Sequence, residues 1–477
     1  MSALYVAVLA VIAAVLLGVS ISRALRVKTK ADYLVAGRTL SAWVLVLTLL
    51  TSWIGAGSLF AGAENAYRNG FAALWLPGGG WVGLLLIYFI APRARKFAQF
   101  TLPDLLEARY NQTARVLGTI AILFAYVAIT SYQFKGGGNV LHLIFPDAVT
   151  PELGTYIIAV FVIVTTAMAG MSSVAYMDVA IGSMVTVICL IAAPMLLAKA
   201  GGWSGLHAAL PATHFEVLGN LTFVQAMETM VPTMLLMLGN QVMYQKFFSA
   251  KSARDARVSV VGWILGTLLL ETLIVAIAVF GSALYRTGEV ARQPYEIIPY
   301  AARNALPAFM GALLLGAVFA KVISTASNYL FSPATNLIED VFVRYLVPEA
   351  TNRQILIFSR AAVAVLGCWA LFQALYAPSI LAKMLYAYTI YSAAVTPVVL
   401  AAFYSKRATA WGAVAAIAMG TAITLAWDNL GMKNLFPPVL AQRDAIFPAL
   451  FAAVAALVVV SVFTPKPSQE QLAKLAE

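Results

Sequence analysis

Four polar side chains share one face of a strongly apolar segment, VFAKVISTASNYLFS. Lys321, Ser324, Thr325 and Asn328 follow one another at i, i+3, i+4 and i+7, the spacing of neighbours on a helix face. Hydroxyl oxygens there can bind a hard cation, or they can bond back to the carbonyls of their own helix. A lysine in hydrocarbon is costly and needs a partner. The stripe therefore predicts a polar site for a cation inside an apolar helix.

Two further apolar segments contain small or polar residues near their middle. LTLLTSWIGAGSLFAG, residues 47–62, concentrates Thr51, Ser52, Gly55, Gly57 and Ser58. MVPTMLLMLGNQVMYQ, residues 230–245, contains Pro232-Thr233 and then Gly239-Asn240-Gln241. Small residues of this kind can simply allow close helix packing. Their separation by five spans, however, is the offset of an inverted five-plus-five repeat whose first helices are broken around a binding cavity.

The composition indicates a membrane protein. Of the 477 residues, 62% are hydrophobic and 11% are charged, whereas soluble proteins carry about 25% charged residues. Apolar stretches long enough to cross a bilayer recur along the whole chain, and they predict an all-α membrane protein with 13 transmembrane helices. The spans that contain the two polar clusters are predicted at 41–63 and 221–243.

The net charge of +11 is explained by topology rather than by nucleic acid. Most of the 31 Lys and Arg residues lie in the odd-numbered loops between spans, and Lys246, just after the span 221–243, is one of them. This bias predicts that these loops are cytoplasmic. The first apolar run, Leu4 to Ser22, lacks a preceding basic residue and a small-residue cleavage site, so we expect it to be a retained span. The chain is therefore predicted to lie in a bacterial-type inner membrane, with its N-terminus outside and its C-terminus inside.

Enzymatic chemistry has no support in the sequence. Cys189 and Cys368 both lie in apolar runs, the three histidines do not cluster, and no nucleophile–base set is visible. The segment PGGGW, residues 77–81, lacks the Lys-Ser/Thr ending of a phosphate loop and indicates close helix packing. We expect no enzyme activity, no organic cofactor and no nucleic-acid partner; the partners are the lipid bilayer and a small-molecule solute.

Five segments, taken in order, resemble the sodium/solute symporter family. They are ADYLVAGRTLSAWVLVLTLLTSWIGAGSLFAGAENAYRNG, FTLPDLLEARYN, GMSSVAYMDVAIG, GNQVMYQKFFSAKSARDAR and VISTASNYLFSPATNLIEDVF. The resemblance covers roughly residues 30 to 410. It implies a LeuT-type fold and a secondary active transporter that imports a small organic solute with a cation by alternating access. A transport-like sensor, whose cargo would be a signal, is the alternative from another class.

The resemblance also implies how the chain is divided. Residues 1–40 would form an extra N-terminal helix and a basic cytoplasmic loop, and residues 41–404 the transport core with halves 41–199 and 221–404. Two accessory helices would follow at 405–464, and a cytoplasmic tail at 465–477.

By position, the family's sodium site would take backbone oxygens from Thr51, Ile54 and Lys321 and hydroxyls from Ser324 and Thr325. Asp178 matches a family aspartate on the ion exit route. The implied solute cavity is formed by Trp53, Ser58, Pro77, Gly80, Ala128, Thr233, Leu236 and Thr389.

Two departures from the family pattern leave the coupling ion and the solute open. Lys321 stands where the family usually has a small residue. Its ammonium either reaches the inner surface, leaving sodium coupling intact, or replaces the sodium with Asp178 as counter-ion, which predicts sodium-independent or proton-coupled transport. The cavity positions are poor in polar groups, so a sugar is disfavoured. Lys135 and Lys383 favour a carboxylate solute, unless they only reach towards the interface.

Overall fold

The structure is a computed structural model that describes residues 2–97, 101–287, 289–376, 379–468 and 472. Helices form nearly all of it. Their bounds are α1 Ser2–Ala24, α2 Lys30–Val35, α3 Ala42–Trp53, α4 Gly62–Asn69, α5 Trp75–Phe97, α6 Leu102–Arg109, α7 Gln112–Ile144, α8 Pro151–Lys199, α9 Gly202–Ala209, α10 Phe223–Gly239, α11 Gln241–Phe248, α12 Ala253–Leu284, α13 Glu289–Arg292, α14 Ile297–Ala305, α15 Ala308–Asn336, α16 Asn352–Tyr376, α17 Ile380–Ala394, α18 Thr396–Tyr404, α19 Ala410–Asn429, α20 Pro438–Ala441 and α21 Ile446–Phe463. Within α8 the chain bends at Gly170, whose φ is 59°, so this element contains two apolar spans, Pro151–Met168 and Gly170–Lys199.

Among the described residues, 11 helices are long and apolar enough to cross a membrane. The predicted count of 13 is not confirmed. The two predicted spans that fall short are 41–63 and 221–243, and both are interrupted. Their helical pieces are too short to span a bilayer of about 30 Å on their own.

The first interruption separates α3 from α4. After Trp53 the backbone becomes extended at Ile54, with φ −84° and ψ 119°, and a π-helical turn follows at Gly57–Ala61. Gly55 allows the broken segment to approach α15 closely, because a Cβ there would lie 2.7 Å from the Thr325 side chain. The interruption predicted from the small and polar residues is confirmed, and it frees backbone oxygens at the middle of the span.

The second interruption separates α10 from α11 at Asn240. The Asn240 backbone is extended, with φ −60° and ψ 111°, and its side-chain oxygen accepts hydrogen bonds from the amides of Val242 and Met243. An asparagine at this position can therefore end one helix and cap the next. Pro232, which we also considered a breaking residue, lies inside the continuous helix α10. The break comes from the Gly239-Asn240 pair alone.

Helix α15 is the central element for the polar stripe. It packs against α1, α3, α7 and α8, and all residues from Leu314 to Asn336 on it are buried. Helix α12 packs against α3, α4 and α5 on another side of the first broken span. The broken span therefore lies between α15 and α12.

The start of the first broken span and the end of the second are joined through the backbone. The amide of Leu40 donates to the carbonyl of Ser249 at 3.1 Å, and the amide of Lys251 donates to the carbonyl of Leu40 at 2.8 Å. The segments 101–110, 294–305 and 333–346 between or after these spans contain helical turns. Of the tail predicted at 465–477, residues 469–471 and 473–477 lie outside the described residues.

Candidate functional site

The break in the first span exposes backbone oxygens to a hydroxyl of α15. Thr325 Oγ1 lies 2.8 Å from the carbonyl oxygen of Ile54, 3.0 Å from that of Lys321 and 3.2 Å from that of Thr51. One hydroxyl proton can serve only one of these three acceptors at a time. The cluster is therefore rich in oxygen and poor in donors, as a site for a hard cation requires. The structure brings four of the five predicted cation-site residues together here.

The fifth residue, Ser324, turns its hydroxyl to a neighbouring acidic site. It donates to the carboxylate of Asp178, which is fully buried on α8. Thr48 Oγ1 also donates to this carboxylate, at 2.5 Å, and Asn328 Nδ2 donates to both of its oxygens, at 3.2 and 3.3 Å. The polar stripe of α15 thus serves two adjacent groups, the oxygen cluster and Asp178.

The ion pair of Asp178 is formed with a lysine that the sequence analysis had placed in a cytoplasmic loop. Lys246 Nζ lies 3.1 Å from Asp178 Oδ2 and donates to the carbonyl of Thr48 at 2.7 Å. Both side chains of the pair are completely buried. The loop assignment was wrong because the chain becomes helical again after Asn240, and α11 positions Lys246 inside the protein.

Lys321 is also completely buried. Its ammonium donates to the carbonyl of Leu50 at 3.3 Å, next to the break in the first span. The interpretation that this side chain extends to the inner surface is wrong: the long methylene chain lies within the helix packing. The structure therefore places a second buried cation close to the oxygen cluster, although the direct partner of Asp178 is Lys246.

A narrow cavity of about 20 Å³ lies beside the break, between the first broken span, α5, α10, α12 and α17. Four predicted solute residues line it: Trp53, Ser58, Pro77 and Thr233. The remaining lining residues are Gly57, Gly62, Leu76, Glu271, Ile274, Val275, Met384 and Tyr388. That volume is enough for about one water molecule, so a solute can enter only after the surrounding helices move apart.

The other four predicted solute residues do not line this cavity. Gly80 packs beneath the ring of Trp53, where a Cβ would lie 3.2 Å from Trp53 Cζ2. Ala128 and Leu236 are buried elsewhere. Thr389 donates to Asp444 Oδ1 at 3.2 Å, because its neighbour Tyr388 occupies the face of α17 that points to the cavity.

The sequence analysis missed Glu271, the acidic residue of the cavity. Glu271 Oε1 accepts hydrogen bonds from Trp53 Nε1 at 3.0 Å and Ser58 Oγ at 3.4 Å, and Oε2 accepts one from Trp81 Nε1 at 3.1 Å. Only 4% of the residue is exposed. The available signal was a lone glutamate in the apolar run ILGTLLLETLIV, since an ionisable residue in a span indicates a functional site.

A third acidic group, formed by Asp104, Glu107 and Asp340, surrounds Arg115. Arg115 donates to Asp104 at 2.7 Å, to Asp340 at 2.6 Å and to Glu107. Partial burial raises the pKa of Glu107, but the hydrogen bond and positive charge of Arg115 and the charge of Arg344 lower it below the usual value. These contacts tie α6 to the end of α15 and to the start of α7.

Comparisons with known proteins agree with this geometry. The chain is 23% identical to the osmoregulated proline transporter OpuE of Bacillus subtilis, over 92% of this chain and 90% of that protein. It is 25% identical to a sodium/proline symporter of Staphylococcus aureus, over 91% of this chain and 88% of that protein.

Among solved structures, a Na⁺-coupled sialic acid symporter in a substrate-bound outward-open state matches with a TM-score of 0.81 at 18% identity, over 98% of this chain and 99% of that chain. This likeness shows a shared fold and supports the LeuT-type architecture. The model of the Sodium:solute symporter family matches residues 33–420. The chain therefore belongs to the Sodium:solute symporter family.

Proposed function

We propose that the protein imports a small organic solute together with a cation by alternating access. The observation that carries this proposal is the position of the first broken span: its carbonyls face the Thr325 hydroxyl, and its Trp53 and Ser58 line the adjacent cavity. Solute and cation would thus act on the same interrupted helix. A movement of that helix couples the two, as alternating access requires.

Sodium is the first candidate for the coupling cation. The relatives include a sodium/proline symporter, and the oxygen cluster of Thr51, Ile54 and Thr325 offers the ligands that sodium prefers. In this form of the mechanism Lys321 contributes only its carbonyl oxygen, as in the site implied by the family.

A specific observation favours a proton as the second candidate. Lys246 and Lys321 are both completely buried near Asp178, whose single negative charge is already paired with Lys246. A sodium ion in the oxygen cluster would add a further cation. Two unit charges about 4 Å apart repel by about 4 kcal/mol at an effective dielectric constant of about 20. The ammonium of Lys321 would then replace the sodium, and loss and gain of its proton would couple transport.

Ion-dependence experiments separate the two candidates. Purified protein is tested for binding of radioactive sodium, and reconstituted protein for uptake of labelled L-proline in sodium or choline buffer, with and without an imposed proton gradient. Proton coupling predicts that the wild type shows no saturable sodium binding. The Lys321→Ala variant lacks the fixed charge, so it is expected to gain saturable sodium binding. Lys199→Ala, an exposed lysine at the end of α8, is the matched control. Saturable sodium binding by the wild type contradicts proton coupling and supports sodium.

A small carboxylate, partly apolar in character, is the proposed solute class. Proline, named for the relatives, is a carboxylic acid with an apolar ring. The cavity offers mainly apolar and aromatic side chains with few hydrogen-bonding groups. A sugar would leave buried hydroxyls without partners, which costs about 1–3 kcal/mol each.

The proposed arrangement in the membrane has the N-terminus outside and the C-terminus in the cytoplasm. The concentration of Lys and Arg in the odd-numbered loops supports it. The transport core would comprise residues 41–404, with 405–464 as accessory helices; α19 and α21 of the latter pack on each other. Labelling of a cysteine introduced at exposed Leu25 with a membrane-impermeant reagent tests the orientation: reaction in intact cells contradicts it.

A further inference from the structure

The solute cavity contains a carboxylate whose hydrogen-bond partners are all uncharged. The three groups that donate to Glu271 are two indole N–H groups and one hydroxyl. These donors satisfy both oxygens but leave the negative charge in place. Within the part of the chain that the structure describes, no ion pair to Glu271 is found. The ammonium of Lys321 acts on this charge through space but forms no ion pair with it among the described residues, so the position of a direct ionic partner is left to a ligand.

Aromatic rings stand beside this carboxylate. The rings of Trp53 and Tyr388 line the cavity with Glu271, and they stack on each other with centroids 6.3 Å apart and planes at 29°. Aromatic rings attract cations through the negative potential of their π-systems, and tryptophan does so most strongly. A buried carboxylate together with tryptophan and tyrosine is a chemical environment that recognises a positively charged nitrogen.

We propose that Glu271 binds a positively charged nitrogen of the transported solute, so that the cavity selects amines and zwitterions over carboxylates that lack such a nitrogen. This inference rests on the proposed transport function and names the class of solute. A cation entering the cavity loses its hydration, and the carboxylate compensates this cost. A purely anionic solute would meet a like charge at low dielectric, which disfavours its binding. A zwitterionic amino acid has both the carboxylate proposed above and the positively charged nitrogen proposed here.

Matched ring compounds test the selection directly. The probes are L-proline, pyrrolidine, which keeps the ring nitrogen without the carboxylate, and cyclopentanecarboxylate, which keeps the carboxylate without the nitrogen. Phenethylamine and 3-phenylpropionate form a larger matched pair. Binding to the purified full-length protein is followed by thermal stabilisation and by the fluorescence of Trp53 and Trp81. We expect the nitrogen-containing member of a pair to bind at least tenfold more tightly. Binding of only the nitrogen-free members, or of no probe, overturns the proposal.

Substitution of the carboxylate tests the residue itself. Glu271→Gln removes the charge at constant size, and we expect at least a tenfold loss of affinity for the nitrogen probes. Glu271→Asp keeps the charge and should retain part of that affinity even if the glutamine variant folds poorly. Glu228→Gln is the matched control, because Glu228 lies outside the cavity near Arg443, at 3.8 Å. Unchanged affinity in Glu271→Gln overturns the proposal.

Uptake measurements distinguish a failure of this inference from a failure of the proposed function. Accumulation of cyclopentanecarboxylate against its gradient, without discrimination in favour of L-proline, would leave the transport function standing and overturn the role of Glu271. Tight binding of L-proline that depends on Glu271, with no accumulation of any probe, would support the role of Glu271 and overturn the transport function.

Discussion

Two buried carboxylates, Asp178 and Glu271, lie on opposite sides of the same broken span and differ in what surrounds them. Asp178 is paired with the ammonium of Lys246 at 3.1 Å and receives further hydrogen bonds from hydroxyl and amide groups. Among the described residues, Glu271 receives hydrogen bonds from two indoles and one hydroxyl. The protein balances the charge of one carboxylate internally and leaves that of the other to a ligand. Burial alone therefore does not tell which role an acidic residue has.

Helix α3 connects the two groups. Its Thr48 donates to Asp178, and its Trp53, just before the break, donates to Glu271. A displacement of α3 relative to α8 or α12 would thus strain one hydrogen bond or the other. We expect a solute at Glu271 and a proton or cation near Asp178 to influence each other's binding, because both groups contact α3, which ends at the break.

The largest effect is expected from Asp178→Asn. The substitution leaves the ammonium of Lys246 buried without a counter-charge, which costs about 3–5 kcal/mol. Thermal unfolding of the purified protein should show this as a marked loss of stability, with uptake abolished. The double variant Asp178→Asn with Lys246→Met removes both charges and should recover most of the stability. Glu271→Gln should change stability far less, since among the described residues no cation forms an ion pair with Glu271.

The reverse order of stability would contradict the different roles of the two carboxylates. A stable Asp178→Asn protein would mean that Lys246 is compensated elsewhere. A Glu271→Gln protein that is destabilised by several kcal/mol would mean that the Glu271 charge is paired within the protein.

Local patterns allowed much of the cation site to be predicted. The spacing of Lys321 and Thr325 placed them on one face of a helix, and the small residues around Gly55 predicted the break; only the resemblance to the family implied the carbonyls of Thr51 and Ile54. Both signals lie within a few residues along the chain. They depend on helix periodicity and on glycine's small size, which a sequence shows directly.

The partners of the buried charges could not be predicted in the same way. Trp53 and Glu271 are 218 residues apart, and Asp178 and Lys246 are 68 apart. Periodicity tells which residues share a helix face, but it does not tell which face of another helix they meet. Lys246 was assigned to a loop because the span was predicted to end at residue 243, whereas the helix that Asn240 caps continues to Phe248.

Removing one hydroxyl donor at Asp178 or at Glu271 should have a smaller effect on stability, and the two losses should differ. Thr48→Val removes a donor that is completely buried and lies 2.5 Å from Asp178, whereas Ser58→Ala removes a partly buried donor 3.4 Å from Glu271. Loss of a short buried hydrogen bond to a charged group costs about 1.5–3 kcal/mol, and a long, partly hydrated one costs about 0.5 kcal/mol. Thermal unfolding should therefore show a clear loss for Thr48→Val and a slight one for Ser58→Ala.

Binding measurements should show the opposite order for these two variants. Ser58→Ala makes Glu271 Oε1 more available to a ligand, so we expect a few-fold gain in the affinity for L-proline or pyrrolidine. Thr48→Val is outside the cavity and should leave the binding of these probes near that of the wild type. Equal losses of stability, together with equal changes in affinity, would show that the two carboxylates have the same role, because a balanced internal charge and a ligand-binding charge respond differently to the loss of a neutral donor.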